Sequence, residues 1–339
     1  RACSTEPLRR GDIRLKRVKF AVLSAAHVHT DAYVRAVGRN PDAELIGLFD
    51  DDGARAAEFA QRHGIRAFDS AEELFGCGPD VAIVCAENTR HADYVRMAAE
   101  RGVDALCEKP LGVDRDDMLG MLDFCDKRGV KLMTALCNRY IGAFREAEAA
   151  VKGGRIGELI AVFATNKGTM PGMWFTDRAL SGGGCVIDHT VHVADLMNHM
   201  LSAVPEAVFA RAGHNLFQMD VEDCAVVTLR YPGNVLVTLD ASWSRTPSFP
   251  YGRDLTLRFI GTRGSIFVDY FAESNRIYAP GERIQRYFGE DKDQWIIDDL
   301  VRCYQTGRPF PITGRDGYRA AIVAEAAYRS IASGQEVSL

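Results

Sequence analysis

Lys109, Asp188 and His192 are the residues of this chain whose types and surroundings suit proton transfer and charge stabilisation. Lys109 sits in Glu108-Lys109-Pro110 at the carboxyl end of an apolar run, and the proline after it restricts the backbone. A lysine held there can donate to a hydroxyl and stabilise developing alkoxide charge. A solvated lysine in a turn is the plain alternative. Asp188 and His192 stand four residues apart, behind Gly182-Gly183-Gly184. At about 100° per residue, Asp188, His192, Asp195 and His199 share one helical stripe. Val186, Ile187, Val191, Val193, Leu196 and Met197 fill the other faces. A helix that is apolar nearly all round is buried, so its polar stripe must be satisfied or put to use. The spacing predicts an Asp188–His192 hydrogen bond that raises the basicity of the imidazole and makes His192 a general base. A divalent metal on the same stripe is the lesser alternative.

These residues need a frame. Continuously apolar segments at Val18–Leu23, Glu44–Phe49, Val81–Ala86, Asp104–Cys107 and Val130–Leu136 alternate with amphipathic helical segments. That pattern predicts a doubly wound parallel sheet covered on both faces. Beyond about residue 150, strands follow one another with turns at Pro232-Gly233 and Arg263-Gly264, which predicts a mostly antiparallel open sheet. The fold class is therefore α/β in two parts. Residues 18–145 form a dinucleotide-binding Rossmann domain, and 146–339 a substrate and oligomerisation domain whose C-terminal helix can pack back on the first. Residues 1–17 read as a loose basic arm, with a basic docking arm as the lesser alternative.

Ser24-Ala25-Ala26-His27-Val28-His29 occupies the first strand–helix turn, where a dinucleotide fold places GxGxxG. Ser24, Ala26 and His29 stand at the glycine positions. The helix start still offers N–H groups to a phosphate, and His27 and His29 either add hydrogen bonds there or cap the turn. Asp50 ends the second strand, where an acid pairs with the ribose of NAD. With Asp51 and Asp52 behind it, NAD is favoured over NADP, and Arg55 is the one residue suited to a 2′-phosphate. Trp174 and Phe175 suit stacking on a sugar face, and Arg178 suits a hydroxyl or carboxylate; simple lid packing is the plain alternative. Arg139, Asn166 and Lys167 are further pocket candidates, while Trp243 and Trp295 read as core or subunit contacts.

The 339 residues carry 41 Lys+Arg against 46 Asp+Glu, a net charge of −5. That balance argues against nucleic-acid or anionic-membrane binding. No apolar run is long enough to span a bilayer. Nine scattered cysteines without CxxC pairs suit a reducing, cytoplasmic setting.

Glu108-Lys109-Pro110, and Gly182-Gly183-Gly184 followed by Asp188 and His192, resemble the paired EKP and GGG…DxGxH motifs of the Gfo/Idh/MocA oxidoreductase family. Asn88-Thr-Arg-His91, Asn138-Arg139-Tyr140 and Gly261-Thr-Arg-Gly264 are similar to other family segments. The resemblance covers about residues 18–339. It implies NAD-dependent hydride transfer at a secondary alcohol or ketone of a sugar, cyclitol or related polyol, with Lys109, Asp188 and His192 as the catalytic set and no metal. It also implies that Asn88, His91, Glu108 and Lys109 face the cofactor. Two alternatives stay within the family: glycoside cleavage through transient oxidation with NAD retained, and a non-catalytic dinucleotide sensor. His189 replaces the motif's glycine, and either contacts substrate or packs locally. An exposed face on the open sheet predicts a homo-oligomer, dimer or tetramer.

Overall fold

A computed structural model describes residues 17–249, 253–271, 274–279, 282–287 and 291–339. The basic arm, apart from Arg17, lies outside the described residues.

The first part alternates strand and helix: β1 (Val18–Leu23), α1 (Thr30–Arg39), β2 (Ala43–Phe49), α2 (Gly53–His63), α3 (Ala71–Gly76), β3 (Val81–Val84), α4 (His91–Glu100), β4 (Asp104–Cys107), α5 (Arg115–Arg128) and β5 (Leu132–Thr134). The strands lie all parallel in the order β2-β1-β3-β4-β5. β3 is buried at every residue, as helices on both faces require. The order reverses direction beside β1, which places the carboxyl ends of β1 and β3 at the crevice where such sheets bind ligands.

The second part holds α6 (Gly142–Lys152), β6 (Leu159–Gly168), α7 (Arg178–Ser181), α8 (Cys185–Leu201), β7 (Ala207–Gly213), β8 (Cys224–Tyr231), β9 (Val235–Asp240), β10 (Arg253–Gly261) and β11 (Gly264–Asp269). A hairpin of β12 (Ser274–Ala279) and β13 (Glu282–Tyr287) follows, then α9 (Lys292–Thr306), α10 (Gly314–Ser333) and β14 (Val337–Ser338). The large sheet runs β11-β10-β6-β9-β8-β7-β14, antiparallel except where β6 meets β9. Its strands alternate burial. Val162, Ala164, Val227, Leu229, Val237 and Leu239 turn inward onto α8 and α10, whereas Phe163, Val226 and Leu236 stay exposed.

Two late helices return to the first sheet. Ile296, Ile297, Leu300 and Val301 of α9 join the core built on Phe20 and Tyr33. Ala321 and Ile322 of α10 pack under the Rossmann sheet, and Val323, Ala326 and Ala327 pack under the open one. Of these returning helices, the sequence pattern predicts only α10. Its alternation also leaves α3, α6 and the β12–β13 hairpin unassigned.

Candidate active site

β1 leads into the turn at Ser24. Ser24 holds φ at 65°, the left-handed backbone that a first glycine would supply. Its Oγ accepts the Ala26 N–H at 3.2 Å and donates to Asp50 Oδ2 at 3.2 Å, which steadies that conformation. Asp50 also accepts the Ala25 N–H at 2.7 Å, locking the ends of β1 and β2 together. The tight turn, the helix start and the acid at the end of β2 are thus in place without glycine, and they fit a dinucleotide. The other two carboxylates of the triplet are engaged elsewhere. Asp51 accepts from Tyr94 Oη at 2.7 Å and faces Arg90, and Asp52 caps α2.

His27 and His29 turn toward Glu108. His29 Nδ1 donates to Glu108 Oε1 at 3.1 Å, and the Tyr33 hydroxyl donates to the same oxygen. Glu108 Oε2 accepts the Lys109 backbone N–H at 2.9 Å. Burial opposes ionisation of Glu108, but His27, His29 and Lys109 together hold its carboxyl well below the usual range. The donor atoms of His27, His29 and Glu108 lie within 4.8 Å of one another. His27 Nδ1 accepts the His29 N–H at 3.2 Å, so its proton sits on Nε2, 3.9 Å from Glu108 Oε2. At that distance His27 Nε2 makes no hydrogen bond among the described residues. Burial pushes the His27 pKa below 6.5 against the pull of Glu108.

Lys109 follows β4 and reaches across to α8. Its Nζ donates to Asp188 Oδ1 at 2.7 Å, while Trp243 Nε1 donates to Asp188 Oδ2 at 3.0 Å. His189 Nε2 lies 3.2 Å from the same Oδ2. Burial alone would raise Asp188, yet Lys109, His189 and Trp243 hold it far below its ordinary value. The expected Asp188–His192 hydrogen bond is absent among the described residues, because the charged lysine and the indole already hold both carboxylate oxygens. Burial, reinforced by Lys109 and Lys292, drives the His192 pKa well below 6.5 and leaves the ring a neutral base. The metal stripe is dispersed as well: Arg139 Nε donates to Asp195 Oδ2 at 2.9 Å, and His199 pairs with Glu148 at 3.1 Å.

Lys109, Asp188, His189, His192, His27 and His29 line one cavity, with Asn138, Asn166, Phe175 and Lys292 also in its wall. Several expected contacts lie elsewhere. Lys167 follows Asn166 on β6, so strand alternation turns it to the open face, where it pairs with Asp240 at 2.9 Å. Arg139 bridges Asp195 and Asp316, tying the loop after β5 to α8 and α10. Arg178 is half-exposed, donates to the Asp220 carbonyl at 3.1 Å and lines a separate groove with Glu222 and Tyr328. Trp174 donates from Nε1 to the Ala26 carbonyl at 2.9 Å and stacks on Phe175, so Phe175 is the ring that reaches the cavity. His91 is wholly buried between the Pro110 and Ala86 carbonyls, at 2.8 and 3.2 Å, and braces two loops. Asn88 Nδ2 donates to the Ser181 carbonyl at 2.9 Å. Trp243, read as core, is a direct partner of Asp188. Lys292 enters the cavity from α9, an element that the alternation does not reveal.

Residues 19–136 match the description "Oxidoreductase family, NAD-binding Rossmann fold", and residues 144–267 match "GFO/IDH/MocA C-terminal domain". The chain is 27% identical over 313 residues to myo-inositol 2-dehydrogenase of Thermotoga maritima, covering 88% of this chain and 92% of that protein. It is 24% identical over 337 residues to inositol 2-dehydrogenase of Rhizobium meliloti, covering 95% and 99%. The solved structure of GenD2 from gentamicin A biosynthesis, in complex with NAD, shares the fold with a TM-score of 0.86 at 23% identity, covering 98% of this chain and 99% of that one. Fold and site therefore define an oxidoreductase with an NAD-binding Rossmann domain. The chain belongs to the Gfo/Idh/MocA family.

Proposed function

We propose that the chain transfers hydride between NAD and a secondary alcohol or ketone of a sugar, cyclitol or related polyol. The observation that carries this reading is the 2.7 Å Lys109–Asp188 pair set beside a neutral His192 in one cavity. Asp188, fixed by Trp243, orients the Lys109 ammonium. Lys109 donates to the reacting oxygen and stabilises its alkoxide charge. His192, kept neutral by burial, accepts the hydroxyl proton in oxidation and returns it in reduction. Bound NAD supplies the hydride acceptor. Asn138, Asn166 and His189 are available to hydroxyls around the ring.

The names of the inositol dehydrogenase relatives support the substrate class. The exposed apolar face of the large sheet supports a homo-oligomer formed through that face. No described helix is long and apolar enough to cross a membrane, and the described cysteines are free thiols, which accords with a reducing compartment.

Lys109→Ala and His192→Ala should each lower kcat on a responsive polyol by about 10²-fold or more, with NADH binding retained by fluorescence titration. Undiminished turnover in both variants would sink the mechanism.

A further inference from the structure

Asp50 is crowded. Its Oδ1 accepts the Asp52 N–H at 3.0 Å and Arg55 Nη2 at 2.7 Å. Its Oδ2 accepts the Ala25 N–H at 2.7 Å, Arg55 Nε at 2.7 Å and Ser24 Oγ at 3.2 Å. A carboxylate has about four acceptor sites, so none is left for the hydroxyls of a ribose. The donors at Ala25, Asp52 and Ser24 hold the turn itself. Arg55 lies in the first turn of α2 on a long, partly exposed side chain, and it is the one donor able to leave without unmaking the turn.

A destination is already built. Arg55 Nη1 donates to Glu87 Oε1 at 3.1 Å. Glu87 is buried, and its Oε2 has no hydrogen-bond partner among the described residues, only the Arg90 guanidinium at 3.8 Å. An orphaned buried acceptor is costly, and a bidentate guanidinium would satisfy it.

We propose that Arg55 is a displaceable occupant of the ribose carboxylate Asp50, and that Glu87 receives it when the dinucleotide binds. The inference rests on the NAD-binding assignment and concerns how this chain admits that cofactor. Two N–H groups leave Asp50 and two ribose hydroxyls take their place, so the hydrogen-bond count on Asp50 is unchanged. Arg55 moves from one buried carboxylate to another, and the Asp50 charge is then carried by the Ala25 and Asp52 N–H groups, the Ser24 hydroxyl and the ribose hydroxyls. A 2′-phosphate brings an acceptor instead of a donor and cannot make the same exchange.

The test is equilibrium titration of NADH, followed by fluorescence, on the full chain and on variants whose folding is confirmed by melting. Glu87→Gln removes the receiving charge and should weaken NADH binding by about tenfold. In an Arg55→Ala background, where nothing needs to be received, the same change should have almost no effect. Arg55→Lys keeps the charge but lacks the fork, and should bind NADH more tightly than the parent. Equal weakening by Glu87→Gln in both backgrounds would mean that Glu87 serves the cofactor or the fold directly, and would overturn the proposal. So would an unchanged affinity in Glu87→Gln, or weakened binding in Arg55→Lys.

Discussion

Asp188 shows how a local pattern yields to long-range partners. The i, i+4 spacing favours His192, but a helix-surface pair is worth only about 0.2–0.5 kcal/mol. Lys109 brings a full charge to 2.7 Å inside a buried site, and Trp243 fills the other oxygen. The catalytic residue types were therefore legible in the sequence, while their pairing was not. His189 is the residue whose role this arrangement sharpens, because it lies 3.2 Å from Asp188 in the cavity wall. His189→Ala should change the ranking of kcat/KM across a panel of sugars and cyclitols. One lost hydrogen bond to a hydroxyl is worth about 1–3 kcal/mol, roughly five- to hundred-fold. A uniform fall with the ranking unchanged would show that His189 only packs.

At the scale of elements, the glycine run is explained by what surrounds it. Gly182 has φ at 78°, a Cβ on Gly183 would meet the Tyr328 hydroxyl oxygen at 1.8 Å, and one on Gly184 would meet the Glu222 carbonyl at 2.0 Å. Glu222 Oε1 then accepts the Gly184 and Val186 N–H groups, capping the helix that carries Asp188 and His192. Close approach at the start of α8 thus sets where its side chains point. Gly184→Ala should destabilise the protein by about 1–3 kcal/mol, read by chemical denaturation, because a backbone carbonyl has to move. Gly38→Ala in α1, where a Cβ meets nothing within 4 Å, should be neutral or stabilising by up to about 1 kcal/mol. A Gly184→Ala variant as stable as the parent would break this account. The sequence shows such motifs because glycine, lysine and histidine types carry them. It hides Lys292, an ordinary lysine on a helix that returns from far along the chain. It also misplaces Lys167, whose neighbour Asn166 takes the cavity side by strand parity alone.

Two predictions belong to the whole molecule. Burial lowers the pKa of His27, His91, His189 and His192 below 6.5. The unfolded chain then binds more protons than the folded one below about pH 6.5. Their contribution to stability is complete above that pH and is lost as pH falls through the lowered values. Asp195 opposes them, since burial raises it to about 6 against the pull of Arg139, but it is one group against four. The melting temperature should therefore fall between pH 7 and pH 5, and a flat or rising profile would contradict the burial of these rings. The second prediction follows from the parity of the large sheet. Phe163 is 54% exposed on β6, opposite Thr238 of β9 and Arg258 of β10, and Arg258 lies over the exposed Phe267 of β11. Val226 and Leu236 extend the same face across β8 and β9. Phe163 lies on β6, third of the seven strands and beside the central β9, so a twofold pairing of two such faces would bury it well inside the contact. A positive charge there would be desolvated directly opposite Arg258, a like charge. Phe163→Lys should shift the proposed oligomer to monomer in light scattering while the isolated fold keeps its circular dichroism. An oligomer of unchanged mass in that variant would place the subunit contact on another surface.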